Sequence, residues 1–595
     1  MPAIASDFYK EQNKTFQQKI ATVKKNLGIL AWVRLFSFIS IIAPVIVFGW
    51  NGWIVIIFSM IFLFLFLFLV IKNNKLERKR KNYEILIKLT ENELLALNDN
   101  FSHFDNGAEY LDPAHFNSYD LDLFGEGSIF QFLNRTSTRS GHQLLANWLR
   151  NPFLNKDEIV KKQNAIKELS ESPEWMLHFR ARGLAFNESK QLSNEIRKWS
   201  ETRLELSGTS YIKWLLSVVP LLTVAAGIYA VSGGSYFWLV LLILFQGSML
   251  FLYRKNITRF YDFFGRKTEL LDKYMHLIRY IEKTTFKATF LNELLKKFHK
   301  PDTASHIFAQ LQKYVNRFEY RQNFIVNILF NSIFMWDIRC MFHLWKWHNK
   351  NRKKLSTWID VLATFDSLIS LANLAYNHPG FNYPEIHEGG FTFNAIQAGH
   401  PLIPEGKRIN NDFKINGWGK VMIVTGANMA GKSTFLRTVG VNMILGSLGA
   451  PVCAQKLVFR PVRIYTNMRT TDSLLKDESY FFAELKRIKE VLDRLKQGER
   501  IFVILDEMLK GTNSIDKLNG SKHLIRKLLE LKAVAIIATH DLKISEMEDE
   551  FPQLVYNKCF EIKLEDNEMN FDYLLKDGAT KTMNATFLMK QMGIL

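Results

Sequence analysis

The stretch from Val421 to Gly440 constrains the fold of this chain more than any other part of the sequence. Its first four residues are apolar in the manner of a buried strand, and a glycine-bounded turn and the start of a helix follow them. The turn, Gly426 to Ser433, has the pattern Gly-x-x-x-x-Gly-Lys-Ser, which in this context predicts a loop that binds polyphosphate mainly through backbone amides. Lys432 is expected to reach the outer phosphates, and the Ser433 hydroxyl to help hold Mg²⁺. A structural turn without a ligand is the alternative.

Two later apolar runs end in polar residues of the kind that such a loop needs. Residues 501–505 are followed by Asp506 and Glu507, and residues 533–538 are followed after one threonine by His540. At the carboxyl end of a strand, an Asp that orients a metal ion and a Glu that activates water are typical of phosphoryl-transfer sites. His540 is positioned to sense the terminal phosphate. The alternatives are a solvated loop for the two acids and a structural role for the histidine.

These segments resemble the MutS mismatch-repair ATPase family. TGANMAGKST, beginning at Thr425, is similar to the family's TGPNMGGKST, LDEMLKGTNSIDK to its LDEIGRGTST loop, and ATHD to its ATH switch. The resemblance implies hydrolysis of ATP with Mg²⁺, catalysis by Glu507, Lys432 and His540, and a metal held by Ser433 and Asp506. It also implies nucleotide contacts along the loop, at Gly426, Ala427, Asn428, Met429, Ala430, Gly431, Lys432, Ser433 and Thr434.

One further segment bears on assembly. RTTDSLLKDESYFFAEL, beginning at Arg469, resembles the family's signature segment, in which a serine near a helix start reaches the nucleotide of the opposite subunit. Ser479 is the matching residue, and a homodimer is implied. The family's Gly-Arg before this serine is Asp477-Glu478 here, and Tyr480 follows it. A helix-capping role for Ser479 is therefore the alternative to a nucleotide contact.

Two apolar hairpins predict membrane insertion. Residues 30–71 are almost continuously apolar apart from a break at 49–53, and residues 212–253 repeat the design around a neutral turn at 232–235. Each arm holds about 20 residues, the length that spans a bilayer. Lysines and arginines flank the open ends of both hairpins and are absent from the turns, which places those ends in the cytoplasm. We therefore expect a multi-pass protein of the inner (cytoplasmic) membrane of a prokaryote, with its ATPase domain in the cytoplasm.

The remaining sequence is helical in pattern. Residues 119–211 and 254–389 resemble the two parts of the MutS core and lever domain, and residues 257–378 have the pattern of long helices. Residues 324–347 are apolar enough to suggest a fifth span, but Asp337 and Arg339 interrupt them, which favours a buried lever helix.

The predicted fold class is an α/β P-loop (ABC-type) ATPase domain with an all-α core and lever domain and two transmembrane helical hairpins. The predicted units are a basic N-terminal segment 1–29, hairpin 30–71, helical connector 72–118, core 119–211, hairpin 212–253, core and lever 254–389 and ATPase domain 390–595.

The net charge and the lack of recognisable mismatch-recognition motifs narrow the range of possible functions. The 595 residues carry a formal charge of +19, which fits an anionic partner, either nucleic acid or a membrane surface. The family's mismatch-recognition and clamp domains have no counterpart that we can identify. We therefore expect a membrane-anchored ATPase coupled to DNA binding with low sequence and mismatch specificity. The alternative is an ATP-driven membrane scaffold or signalling switch that binds no DNA. A transporter is a third option, which is disfavoured because the four predicted spans contain few polar residues beyond Gln246.

Overall fold

A computed structural model describes residues 3–49, 52–186, 188–189, 198, 201–206, 209–264, 268–299, 303–469, 480–509, 512–565 and 568–580. Most of the described chain up to Asn377 is helical, and an α/β unit with two sheets follows it. This arrangement agrees with the predicted combination of a helical core and an α/β domain.

The first hairpin consists of two long helices, α1 (Ala3–Phe48) and α2 (Trp53–Leu97), which pack along each other. At 46 and 45 residues each helix is roughly 70 Å long, about twice the ~30 Å hydrocarbon core of a bilayer. The apolar parts of the two helices, within residues 30–71, are therefore continuous with polar parts, residues 3–29 of α1 and 72–97 of α2. We call these polar parts the stalk. The helical connector predicted over 72–118 is wrong beyond Leu97, because Asp99 adopts φ +62° and residues 98–118 contain only the 3-10 turn Ala108–Tyr110.

The second hairpin consists of α7 (Thr209–Val231) and α8 (Phe237–Phe264). The Gln246 side chain donates a hydrogen bond to the Thr223 hydroxyl at 2.7 Å, and both side chains are buried between the helices. By length and composition, five helices among the described residues could cross a membrane: the four of the two hairpins and α13 (Trp336–Asn377). In α13, however, 78% of the most apolar window is buried in protein, against 6–33% in the other four.

The helical core is assembled on α13. The other core helices are α3 (Ile129–Leu133), α4 (Arg139–Arg150), α5 (Lys156–Ser170), α6 (Pro173–Leu184), α9 (Thr268–Glu282), α10 (Thr289–Lys296), α11 (Ala304–Glu319) and α12 (Phe324–Phe334). The single buried helix expected over 324–347 is wrong in its first half. Met335, at φ +50°, breaks it into α12, whose apolar face is exposed, and the buried start of α13.

A buried ionic cluster fastens the stalk to the core. Glu93 of α2 is fully buried, and its Oε1 lies 2.7 Å from Arg135 Nε and 2.7 Å from Arg180 Nη1. Asn377 Nδ2 donates to the other Glu93 oxygen at 2.9 Å, and Tyr9 of α1 donates to Asn377 Oδ1 at 3.0 Å. Both stalk helices are thereby bonded to the last residue of α13, immediately before the α/β unit.

The α/β unit contains a small and a large sheet. The strands are β1 (Glu385–Ile386), β2 (Thr392–Ala398), β3 (Asn411–Asn416), β4 (Val421–Gly426), β5 (Lys456–Phe459), β6 (Arg463–Asn467), β7 (Ile501–Asp506), β8 (Val534–Thr539), β9 (Val555–Glu565) and β10 (Glu568–Asp577). The small sheet has the order β1-β5-β2-β3, and the large one β10-β9-β4-β8-β7-β6. Helices α14 (Lys432–Ser447), α15 (Tyr480–Lys496), α16 (Ser514–Glu530), α17 (Leu542–Ser545) and α18 (Met547–Glu550) complete the unit.

Candidate functional site

The candidate site lies where three buried parallel strands end at the same edge of the large sheet. β4 pairs with β8, and β8 with β7, so that Thr425 lies opposite Thr539 and Ala538 opposite Asp506. In open α/β sheets, ligands bind outside the carboxyl ends of such strands. A cavity of about 600 Å³ opens here, lined by residues from all three strand ends and from the loop after β4.

The loop from Gly426 to Gly431 needs glycine at both ends. Gly426 adopts φ +151°, and a Cβ there would lie 2.9 Å from the Phe560 carbonyl oxygen. Gly431 adopts φ +103°, and its Cβ would lie 3.1 Å from the Tyr573 ring. A side chain at either position would strain the backbone and push on the neighbouring strand. Of the residues between them, Ala430 is buried beneath the loop, while Ala427, Asn428 and Met429 line the cavity, as does Thr434 after it.

Lys432 opens α14 and points back under the loop. Its Nζ lies 2.7 Å from the carbonyl oxygens of Gly426 and Ala427 and 3.3 Å from His540 Nδ1. Burial lowers the pKa of this ammonium to about 8, although the nearby carboxylates of Asp506 and Glu507 favour the charged form. Among the residues that the structure describes, no carboxylate lies within ion-pair distance of this largely desolvated cation.

Ser433 and Asp506 form a pair of oxygen ligands. The Ser433 hydroxyl donates to Asp506 Oδ2 at 2.5 Å. Mg²⁺ is commonly held by one or two protein oxygens together with phosphate oxygens and water, and this pair fits that requirement. No cluster of three or more His, Cys, Asp or Glu side chains suited to a metal ion occurs in the part of the chain that the structure describes. The donor set thus suits an ion that arrives with a phosphate ligand.

Glu507 is held in an unusual backbone conformation directly after β7. It adopts φ +60°, and its N–H donates to the Ala538 carbonyl on β8 at 2.9 Å. A non-glycine residue in the left-handed region is uncommon, and such conformations concentrate at functional sites. The side chain reaches the cavity, and its Oε1 lies 3.4 Å from Lys517 Nζ of α16.

His540 also lines the cavity, and its Nδ1 lies 3.1 Å from the Gly426 carbonyl oxygen. Burial and the neighbouring Lys432 charge lower its pKa, so the imidazole is neutral at pH 7. The structure thus brings together Lys432, Ser433, Asp506, Glu507 and His540. Their chemical roles stay predictions.

Several cavity residues escape detection by motif. Tyr573 of β10 lies within the irregular register between Phe571 and Leu575, where φ +51° aims it toward the loop. Asn411 fixes that bulge, since its side chain donates to Tyr573 O at 3.0 Å and accepts from Leu575 N at 2.7 Å. Neither residue could be predicted from its local sequence, because the bulge depends on a hydrogen bond between residues that are 162 positions apart. The wall is completed by Ala398, Ile403, Lys407, Ile409, Phe435, Thr438 and Phe560.

Ser479 lies outside the described residues, as do Asp477 and Glu478. The segment that leads to it is anchored at Arg469, whose N–H donates to Asp120 Oδ1 at 2.8 Å and whose Nη1 donates to Asp122 Oδ1 at 2.6 Å. Arg437 of α14 also approaches Asp122, at 3.6 Å. Asp122 of the core therefore contacts both α14 and Arg469, which lies two residues after the end of β6.

Comparison with known proteins decides the family. The sequence model described as MutS domain III matches residues 116–372, and that described as MutS domain V matches residues 422–589. Together they cover the helical core and most of the α/β unit, including the loop after β4 and the ends of β7 and β8, whereas the cavity-wall residues between 398 and 411 lie outside both matches.

The chain belongs to the MutS family. Similar proteins include the DNA mismatch repair protein MutS of Finegoldia magna, which is 25% identical over 498 residues, 76% of this chain and 56% of the relative. The DNA mismatch repair protein MutS of Thermotoga petrophila is 32% identical over 231 residues, 38% of this chain and 28% of the relative. The DNA mismatch repair protein MSH4 of Arabidopsis thaliana is 32% identical over 234 residues, with the same 38% and 28%. The chain thus spans little more than half of the first MutS relative and about a quarter of the others.

Proposed function

We propose that this MutS-family chain is a membrane-anchored ATPase that binds and hydrolyses ATP. The observation that carries the proposal is the convergence of Lys432, Ser433, Asp506 and Glu507 on one cavity at the carboxyl edge of the large sheet. A buried lysine, a hydroxyl–carboxylate pair and a second carboxylate are the parts that phosphoryl transfer to water requires.

Each residue has a distinct role in this proposal. Lys432 exchanges its two carbonyl partners for phosphate oxygens, which places negative charge beside the buried cation and offsets the cost of its desolvation. Ser433 and Asp506 would hold Mg²⁺, which supplies neutralisation of phosphate charge. Glu507 orients a water molecule and takes its proton as the water oxygen attacks the terminal phosphorus and the bond to the leaving oxygen breaks. His540 lines the same cavity, and we propose that it senses the terminal phosphate.

The two hairpins supply the membrane anchor. Their outward faces are apolar, with Phe64 of α2 and Leu221 of α7 more than 60% exposed. Basic residues flank the open ends, so the stalk, the core and the ATPase unit share the cytoplasmic side. We propose the inner membrane of a prokaryote as the location. The stalk of α1 and α2 then holds the ATPase unit away from the bilayer.

Contacts along α13, which we call the lever helix, connect it to the second hairpin. Along α13, Arg339 donates to Leu216 O at 2.5 Å, Trp345 Nε1 to Leu204 O at 3.0 Å, and Arg352 Nη1 to Glu201 O at 3.2 Å. These side chains hold the segment that enters α7. Because α13 ends next to the ATPase unit, movement of that unit would be transmitted to the hairpin. This observation favours the second candidate, an ATP-driven membrane switch that does not bind DNA.

DNA and a second copy of the chain are the proposed partners. Relatives named as DNA mismatch repair proteins support DNA, and the position of Ser479 in the family pattern supports a homodimer with composite sites. Contacts to DNA phosphates position a protein but carry no direct sequence information, so we expect binding to weaken steeply with salt.

ATP hydrolysis by the full chain in lipid nanodiscs, with and without duplex DNA at low salt, separates the two candidates. Stimulation by DNA supports the DNA-coupled ATPase, and a perfect and a mismatched duplex should then bind within about threefold of each other. Hydrolysis that is unaffected by DNA, together with no DNA binding at low salt, supports the membrane switch. A mismatch preference above about tenfold would contradict the expected low specificity.

A further inference from the structure

The short helix α12 has a polarity opposite to that of a soluble surface helix. Phe324, Ile325, Ile328 and Leu329 form one stripe at helical spacing, and each is 51–76% exposed. Two asparagines, Asn327 and Asn331, lie along one side of this stripe. Asn331 is buried, contacts the Asn327 side chain, and accepts a hydrogen bond from Asp337 N at 2.9 Å. A helix on a water-exposed surface normally buries its apolar residues and exposes its amides.

The position of α12 places this stripe next to the proposed membrane anchor. The helix packs against both α7 and α8 of the second hairpin. Just before it, Gln322 donates to the Tyr261 hydroxyl at 2.5 Å, and just after it, Arg339 binds the Leu216 carbonyl. Leu216 lies in the first turns of the apolar part of α7, beside the exposed Trp214. The helix that carries the apolar stripe is therefore attached to the second hairpin near the start of α7 and the end of α8.

Length and composition decide how such a helix meets a bilayer. Its 11 residues give a length of roughly 16 Å, too short for the ~30 Å hydrocarbon core. It contains no charged residue, whereas Arg317, Glu319 and Arg321 precede it and Trp336 and Asp337 follow it. Arg321 Nε lies 3.7 Å from Asp337 Oδ2, and Trp336 Nε1 donates to the Arg317 carbonyl oxygen at 2.9 Å, so the indole and both arginines lie at the same border of the helix. Basic residues and tryptophan at the border of an apolar segment are typical of the lipid headgroup region.

We infer that α12 lies in the cytoplasmic leaflet, with the Phe324–Leu329 stripe among the upper acyl chains. This inference rests on the proposed membrane anchoring and adds a lipid contact that belongs to the lever, because only Met335 separates α12 from α13. An interfacial helix of this kind inserts about 5–10 Å into the boundary between headgroups and acyl chains. The helix that precedes α13 thus contacts lipid, and the other end of α13 lies next to the ATPase unit.

The test measures depth with an environment-sensitive fluorophore. Single cysteines replace Ile328, Val224 or Lys353 in the full chain, each is labelled with NBD, and the protein is reconstituted into phosphatidylcholine and phosphatidylglycerol vesicles with or without doxyl-labelled lipid. The three native cysteines are buried, and labelling of the unsubstituted chain gives the background. Val224 lies in the apolar part of α7, and the exposed Lys353 lies on α13 beyond the contact to Glu201. An Ile325→Cys variant repeats the measurement one turn away.

We expect doxyl lipid to reduce the fluorescence at Ile328 and Ile325 at least about twofold, as at Val224, and to leave Lys353 almost unchanged. Quenching at Val224 without quenching at either α12 position would overturn this inference and leave the anchor intact. No quenching at any position would overturn the proposed anchoring as well. A disulfide between two Ile328→Cys chains, together with absent quenching, would show that a second copy covers the stripe.

Discussion

The Ser433 hydroxyl and the Asp506 carboxylate meet at 2.5 Å although 73 positions separate them in the chain. The contact joins the helix after β4 to the end of β7, across the intervening strand β8. It brings the two proposed Mg²⁺ ligands together at the carboxyl edge of the large sheet.

Removing the loop lysine should abolish nucleotide binding. In the Lys432→Ala variant the phosphates lose their buried cation, and we expect ATP affinity to fall at least about a hundredfold. Fluorescent ATP analogue binding to the detergent-solubilised chain measures it. Lys496→Ala removes an exposed lysine that pairs only locally with Asp493 and is the matched control. Equal loss in both variants would contradict the assigned role.

The buried lysine also predicts a pH dependence of binding. Burial lowers the pKa of Lys432 from 10.5 to about 8, so its charge is present below pH 8 and is lost as the pH rises through 8. Bound phosphate stabilises the charged form and raises this pKa again. Affinity for ATP should therefore fall about eightfold between pH 7.5 and 9. In Lys432→Arg the guanidinium keeps its charge, so a similar pH dependence in that variant would rule out lysine titration as the cause.

The sequence predicted the parts of the site that are local in the chain. A strand, a glycine loop and a helix start are contiguous at 421–440, and each acid follows directly after an apolar run. Both hairpin turns also lie where the neutral breaks predicted them, while membrane insertion stays a prediction. Long-range partners carry no such signal: Asp122 meets Arg469 across 347 positions. The break between α12 and α13 at Met335 could not be predicted from the sequence, because methionine rarely adopts a positive φ.

The stalk junction gives a stability prediction. Glu93→Ala would leave Arg135 and Arg180 buried without their carboxylate, at a cost of roughly 3–5 kcal/mol in the free energy of unfolding. The midpoint of thermal unfolding in detergent should fall accordingly. Glu84→Ala, on the same helix, removes an exposed partner of Arg80 and should cost less than about 1 kcal/mol. A small effect at Glu93 would mean that the ionic cluster does not anchor the stalk.

The orientation of the hairpins can be read with fusion reporters. A phosphatase that is active only outside the cytoplasm should be active when inserted at Gly52 or Gly233, in the two turns, and silent at Lys81. A reporter active only in the cytoplasm should give the reverse pattern. Activity of the first reporter at Lys81 would invert the topology, and recovery of the whole chain without detergent would exclude membrane anchoring.

We propose that Glu507 activates water for ATP hydrolysis, and the ATPase rate of a Glu507 variant tests this role. The steady-state ATPase rate of the full chain in nanodiscs is compared with that of Glu507→Gln, with ATP binding measured in parallel. Glu530→Gln, an exposed change on α16, is the matched control. We predict that Glu507→Gln binds ATP normally and turns over at least about a hundredfold more slowly, while the control keeps its rate. Hydrolysis by Glu507→Gln at the unaltered rate would contradict the account.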